Sequence, residues 1–503
     1  MPALPPVHAL AALVGVGLLL FSSAEASQSC GPAPATDAVR LVTERRADHA
    51  LIADATVELD APAPVYLEYG NAEVGWLRTP RTEAAMTHRL PILRLRASTA
   101  YQVRAFAVDA AGCPDGVAAA ELQTGELPGP LQRLEIQATG RPSSPLTLMD
   151  FAVGGSAERF FIALDALSRP VWYYRLPLAM SRGGAGSPIG AAARLANGNL
   201  LYQTRNFGIE EITPDGVVVR RVEVDDSYIH HDVLPLGDGR VLFLGAEDGV
   251  IDETSSGGPP DRPVRGDTVN VLDLDLLEEE QVWSTFELDP IPRVPGRYRG
   301  GDFGSEEWTH ANSLARGPRG TWLLSFRSLD QVISLAADFE TVEWRLGGAD
   351  SSFSFPDPAD RFYGQHTAFE LPGGRVLLFD NGNFRPEGEY SRALELELDF
   401  ATMTARKVWE YRHHPDIYAD RLSNVGRLPN GNTLVNFGFR ADGPDEPLVL
   451  VEAGPDGTVA WELGLHVPGV RSARYRAYSW PTLAGESLVE PTDVANLPDA
   501  RAR

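Results

Sequence analysis

The chain has only two cysteines in 503 residues, few lysines, and a deficit of positive charge: 44 Lys and Arg against 69 Asp and Glu, a formal net charge of −25. Two cysteines exclude an iron–sulfur cluster and a four-cysteine zinc site. A strongly acidic surface repels phosphate backbones, which argues against nucleic-acid partners and against binding to anionic membranes. Beyond the N-terminal segment no apolar run approaches membrane-spanning length. What the chain has in quantity is turn formers, 39 Pro and 48 Gly, beside 43% apolar and 22% charged residues. That composition describes a globular chain of about two to four domains built from many short strands.

Residues 9–21, ALAALVGVGLLLF, form a 13-residue apolar run, followed by two serines and the small-x-small pattern Ala24-Glu25-Ala26. The run is short for a membrane span and fits an export signal over residues 1–26, with the mature chain periplasmic or extracellular. The segment before it lacks Lys and Arg, which leaves an uncleaved anchor as the alternative. Cys30 and Cys113 could then close one disulfide in an oxidising compartment, or stay as two separate thiols.

Residues 27–124 read as short alternating strands: ATVEL, VYLEYG, TAYQVRAFAVD and AAAELQTG. The segment Leu95 to Tyr101 resembles the corner at which a tyrosine hydroxyl ties a loop to the backbone in fibronectin type III sandwiches. A linker is expected over 125–131, and a repetitive unit over 132–485, followed by a tail over 486–503. In the repetitive unit two phrases alternate. One is a strand pair with Trp172, Trp283, Trp344, Trp409 or Trp461 at one phase, and Arg220 in the same slot of a sixth copy. The other is a tight hairpin with a turn glycine: Gly198, Gly239, Gly320, Gly374 and Gly431. Six of one and five of the other predict an all-β fold, a six-bladed β-propeller with one blade split between the chain ends, preceded by the small sandwich. Insertions at Gly249–Asp267 and Asp289–Glu307 are expected as loops over one face.

Three histidines recur near one phase. His231 and His366 lie eight residues before Gly239 and Gly374, and His310 lies ten before Gly320; Gly190 and Ser423 occupy the slot elsewhere. A lone strand histidine is usually structural, but three in phase on different repeats predict a cluster at one mouth of the channel. His230 should point away from His231 on an extended backbone, and Asn312 should share a face with His310. Arg327, at the end of the next strand, should fold back beside them. Imidazoles, an amide and a guanidinium without a carboxylate make an anion site. A three-histidine metal site is the competitor, disfavoured by Arg327. Phe362, Tyr363 and Trp308 could hold an aryl ring or simply pack between blades.

The segments EEWTHANSLARGPRGTWLLSFRSLDQVISL, YGQHTAFELPGGRVLLFDNGNFRPEGEYSRALELELD and SNVGRLPNGNTLVNFG resemble the bacterial arylsulfate sulfotransferases over roughly residues 130–480. The resemblance implies an exported six-bladed propeller after a small β-domain. It also implies transfer of a sulfuryl group from a phenolic sulfate ester to a phenol, independent of 3′-phosphoadenylyl sulfate and of any cofactor or metal. Position by position it makes His366 the transiently sulfated nucleophile. His310, Arg327 and His231 become the other catalytic residues, with Asn312, His230 and Tyr363 binding substrate. Ser328 departs from the family pattern, where another histidine often follows the arginine. The partners implied are a small-molecule donor and acceptor, with no nucleic acid, no membrane contact beyond the signal, and room for a homodimer. Two other readings remain at this stage: a secreted, non-catalytic propeller that binds a ligand or protein, and a metal-dependent hydrolase using the histidines.

Overall fold

The alternation of residues 39–123 resolves into two facing sheets. The strands Val39–Arg45, Ala53–Ala63 and Ala85–Ile92 form one; Gly75–Arg78, Val65–Asn71, Ala100–Val108 and Pro114–Gln123 form the other. The structure, a computed structural model, describes residues 30–495 apart from 154–157, 177–189, 205–206, 225–227, 255–257, 291–307 and 493. The expected export signal, most of the insertion ending at Glu307 and the last residues of the tail lie outside the described residues. Every second side chain of the two sheets turns inward, so that Val57, Leu67, Val103 and Ala105 are wholly buried between them. Each such aliphatic side chain contributes roughly 1.5–3 kcal/mol, the smaller alanine less. The Tyr101 hydroxyl accepts the backbone N–H of Arg96 at 2.7 Å, the tie expected at that corner. Cys30 and Cys113 are joined as a disulfide.

From Glu135 onward the described residues form six further sheets of four or five strands. Four are uninterrupted meanders over residues 192–223, 230–284, 311–347 and 366–412. A fifth, over 424–466, takes Glu135–Gly140 on its far edge. The sixth joins Leu146–Val153, Arg159–Asp165 and Pro170–Arg175 to Ser472–Ala473 and Ala477–Trp480 from the other end of the chain. This is the split unit the repeat count calls for.

Hydrogen bonds between neighbouring first strands run round a closed ring. Ala192 N–H donates to the Tyr478 hydroxyl, Ala191 N–H to His231 O, and Leu314 N–H to Asp232. Ala368 N–H donates to Ser313 Oγ, the Thr367 hydroxyl to Ser423 O, and Ala477 N–H to Asn424 Oδ1. Apolar clusters fill the spaces between successive sheets, as with Trp172 and Tyr202 or Leu378 and Leu346. The recurring tryptophan has a double use here. The ring packs in the inter-sheet core, and in three of the five copies the indole N–H also ties down the turn of the next sheet: Trp172 to Pro214 O, Trp409 to Gly454 O, Trp461 to Ser168 Oγ, whereas Trp344 Nε1 is buried without a partner. Arg220, in the same slot, donates to Leu274 O and so does the same job with a guanidinium. The five hairpin glycines all have φ between +74° and +89°, where a side chain would be strained.

Two expectations change. Residues Gly249–Asp267 are loop only in part: nine of them belong to the strands Arg240–Ile251 and Arg262–Asp273, which pair along their whole length and extend a hairpin well past its neighbours. The run of Gly and charge obscured an alternation (Val250, Val264) that buries only part of each strand. The tail is also integrated: Ser487–Val489 adds an edge strand to Gly75–Arg78, and Val494–Ala495 pairs with Ala33–Pro34. Among the described residues no helix is long and apolar enough to cross a membrane.

Candidate active site

His230, His231 and His366 lie in two first strands and His310 immediately precedes a third, and each of the three strands is broken by an irregularity at the same end. The pairing shifts between His230 and Val233, between Ala311 and Ser313, and between His366 and Ala368. His231, His310 and Thr367 have left-handed backbones, with φ of +55°, +54° and +52°. Bulges of this kind re-aim side chains near functional sites. Alternation along an extended strand therefore fails here. His310 precedes the strand Ala311–Arg316, so it does not share a strand face with Asn312, and it is Asn312, eight before Gly320, that matches the phase of His231 and His366. Nor do His230 and His231 point apart: their Nδ1 atoms are 2.8 Å from each other.

His231 is the hub of the cluster. Its ring centroid lies 4.9 Å from His230, 5.0 Å from His310 and 5.7 Å from Tyr475. His230 Nε2 lies 2.9 Å from Gly245 O, an acceptor only, so that nitrogen carries the hydrogen. In a neutral His230, Nδ1 is then an acceptor and His231 Nδ1 must be the donor. Asp267, 3.3 Å from His230 Nε2, anchors the same end.

His366 is almost completely buried. Its Nδ1 lies 2.8 Å from Asn381 Oδ1, and Asn381 in turn donates from Nδ2 to Ala419 O at 2.7 Å and Leu422 O at 3.3 Å. The two carbonyls fix the amide orientation, so Asn381 presents its oxygen and His366 Nδ1 carries the hydrogen. Nε2 therefore holds the free lone pair. Burial holds the His366 imidazole well below the usual histidine range; the Arg327 charge lowers it further, as do His310 and Arg476, while the Asn381 hydrogen bond opposes them. The ring is neutral at physiological pH.

Arg327 opens a short turn after the strand Trp322–Phe326, and its own N–H donates to His310 O at 3.0 Å, so hairpin closure does place it beside His310. Its Nη2 donates to Asp420 O at 3.2 Å. Asn312 is buried and gives one amide hydrogen to Gln365 O at 2.7 Å, which fixes the residue just before His366. Tyr363 packs otherwise: Arg385 lies 5.3 Å over its ring, and its N–H donates to Asp380. Trp308 and Phe362 are buried in the clusters between sheets, Trp308 against Phe286 and Phe362 against Phe355, as packing residues.

The structure adds residues that the repeat phases do not show. Tyr475 donates its hydroxyl to Asn312 O at 2.6 Å; Arg476 contacts the same oxygen at 3.2 Å and pairs with Asp232 at 2.8 Å. Against the penalty of burial, Asp232 keeps the Arg476 guanidinium charged. The one sequence signal for them was the density of Arg and Tyr in RSARYRAYSW, outside both repeat phrases. Among the described residues no three His, Cys, Asp or Glu side chains converge in a way that would hold a metal ion. A buried, neutral imidazole with a free lone pair near two guanidinium charges can attack an electrophile carried by an anion.

A model of the arylsulfotransferase (ASST) family matches residues 146–452, more than half of the chain, and includes His231, His310 and His366. The chain belongs to the arylsulfotransferase family. Its activity is therefore, in broad terms, that of an aryl sulfotransferase acting on small molecules. No curated protein matches it significantly. Solved structures resemble it distantly. A Bacteroides caccae protein of unknown function is 12% identical, with 67% of this chain and 100% of that one covered and a TM-score of 0.40. Virginiamycin B lyase from Staphylococcus aureus is 11% identical, with 85% and 99% covered and a TM-score of 0.30. BamB from Moraxella catarrhalis is 13% identical, with 82% and 98% covered and a TM-score of 0.29.

Proposed function

We propose that this protein is an exported aryl sulfotransferase that moves a sulfuryl group between phenols through a sulfohistidine on His366, by a ping-pong route. The six sheets are read as blades of a six-bladed β-propeller and the two N-terminal sheets as a fibronectin type III-like sandwich over 27–124. The observation that carries the mechanism is the His366–Asn381 hydrogen bond in a buried, positively charged surrounding, which leaves Nε2 as a nucleophile without a proton to lose.

In the first half-reaction the Nε2 lone pair forms a bond to sulfur as the sulfur–oxygen bond to the aryl group breaks. The electron pair leaves with the phenolate, which takes a proton from the imidazolium form of His231 or His310 and leaves that ring neutral as the base for the second half-reaction. Arg327, assisted by the Arg476 charge, stabilises the sulfuryl oxygens; a donor of that kind is worth about 10²–10³ in rate. In the second half-reaction the acceptor phenol gives its proton to the same base and its oxygen attacks sulfur. The nitrogen–sulfur bond breaks and the lone pair returns to His366. Asn312 positions His366 through Gln365, and His230 sets the tautomer of His231. Tyr363, whose ring lies under Arg385, is read as the contact for the aryl ring.

The test is release of nitrophenol from p-nitrophenyl sulfate in the presence of a phenol. His366→Ala should abolish it, and the wild-type protein incubated with donor alone should gain the mass of one SO₃ on the peptide containing His366. Full activity in the variant, or label elsewhere, refutes the assignment.

A further inference from the structure

Far along the chain from the histidines, the N-terminal sheets and the hairpin 159–175 enclose a cavity of about 250 Å³. Arg94, Arg96 and Arg141 line it, with Tyr69, Tyr101 and Asp165. Arg94 is more than nine-tenths buried and sits on a left-handed backbone, φ +57°. Its Nε has no hydrogen-bond partner. The nearest opposite charge, Glu486, is 3.6 Å away, and that carboxylate already accepts the N–H groups of Leu483 and Ala484 at 2.8 and 2.7 Å. Arg96 gives Nε and Nη2 to Asp165, at 3.0 and 2.6 Å, and its buried Nη1 is unpartnered.

A guanidinium stripped of water and left short of acceptors is unfavourable unless something supplies them. The lining holds three arginines, of which Arg141 is exposed, and one carboxylate, Asp165, with Glu486 beside Arg94 outside it, so positive charge is in excess. Its other flank is apolar: Leu77, Leu167 and Leu488 line it, and Leu488 is 65% exposed. We propose that this cavity binds a small organic monoanion, a carboxylate or sulfonate head on an apolar ring or chain, with the head on Arg94 and Arg96 and the tail along Leu488. The two oxygens of a carboxylate, or two of the three of a sulfonate, match the fork of a guanidinium, and a cavity of this size admits one ring and its head group. The site shares no residue with the histidine cluster, so it stands or falls independently of the sulfotransferase reading.

The experiment is calorimetric titration of the full chain with benzoate, with acetate in parallel. Saturable one-to-one binding of benzoate is expected, weaker for acetate, and weakened about tenfold or more in Arg94→Met, the loss of one charge-assisted contact. Arg94→Lys keeps the charge without the fork and should lose part of that. Leu488→Asp, at an exposed rim position, should weaken benzoate even if Arg94→Met fails to fold. Turnover of p-nitrophenyl sulfate should be unchanged in all three. Absence of saturable binding, affinity undiminished by these changes, or benzoate competing with the sulfate donor would overturn the proposal.

Discussion

Replacing Asn381 by Asp tests the proposed nucleophile through its charge state. In the wild-type protein a neutral amide oxygen accepts the His366 Nδ1 hydrogen at 2.8 Å, and burial with Arg327 nearby holds the ring unprotonated. A carboxylate in that place favours the imidazolium instead. Two unit charges about 4 Å apart at an effective dielectric of 20 interact by about 4 kcal/mol, and relaxation plus partial neutralisation by Arg327 leaves roughly half. At about 1.4 kcal/mol per pH unit, the acid limb of kcat/KM for p-nitrophenyl sulfate should move upward by roughly one to three pH units. Below the new limb, activity should fall about tenfold per unit of pH. Asn381→Leu is the control: it removes the tautomer lock without adding charge, so the rate should drop about tenfold with no upward shift. Both variants lose the tie to Ala419 O, about 1–3 kcal/mol, so folding is checked by thermal melting. An acid limb in Asn381→Asp that coincides with the wild-type limb, or lies below it, would show that His366 is not the group whose protonation controls the reaction.

Asp150 accepts the N–H groups of Tyr475 and Arg476, and burial pushes its carboxyl from an ordinary 3.8 up to about 7. Because the folded value is the higher one, its contribution to stability is complete below about pH 4 and is lost as pH rises through about 7. The unfolding free energy of wild type minus Asp150→Asn should therefore fall across that window, and a difference flat from about pH 4 to 8 would contradict the sign. The Cys30–Cys113 disulfide spans 83 residues of sequence, so removing it with a double alanine substitution should cost about 2–4 kcal/mol in denaturant melts. An unchanged midpoint would mean that the integrated tail and the sheet contacts already hold that end.

The repeat was legible because its cause is local. A hairpin needs a residue at positive φ, so Gly recurs at fixed spacing, and a large flat ring at one phase of each unit fills the space beside the next sheet, so Trp recurs with it. Arg220 could be placed in the tryptophan slot by the same phase. The histidine phase was legible only in part. His231 and His366 follow the hairpin count, but His310 does not, and the residue in its slot is Asn312. The rule that neighbours alternate faces misjudged both His230 with His231 and His310 with Asn312, because the backbone turns left-handed at those points. Nothing in the sequence marks such a turn at a histidine. Asn381, Tyr475 and Arg476 were hidden for a different reason: they act through contacts across 15 to 244 positions, and only ring closure by the C-terminal strand brings the last two near His231 and Asp232.

The sequence by itself determined the all-β class, the order of repeats, the split closing unit and the histidine-bearing strands, since periodicity and turn chemistry are properties of short segments. Tertiary structure alone decided which imidazole nitrogen is free, how a protein of charge −25 surrounds His366 with positive charge, and which guanidinium nitrogens of the second cavity stay without acceptors. Those depend on distances between segments far apart in the chain and on the removal of water around them. Burial and a single amide oxygen, neither visible in composition, set the chemistry of His366.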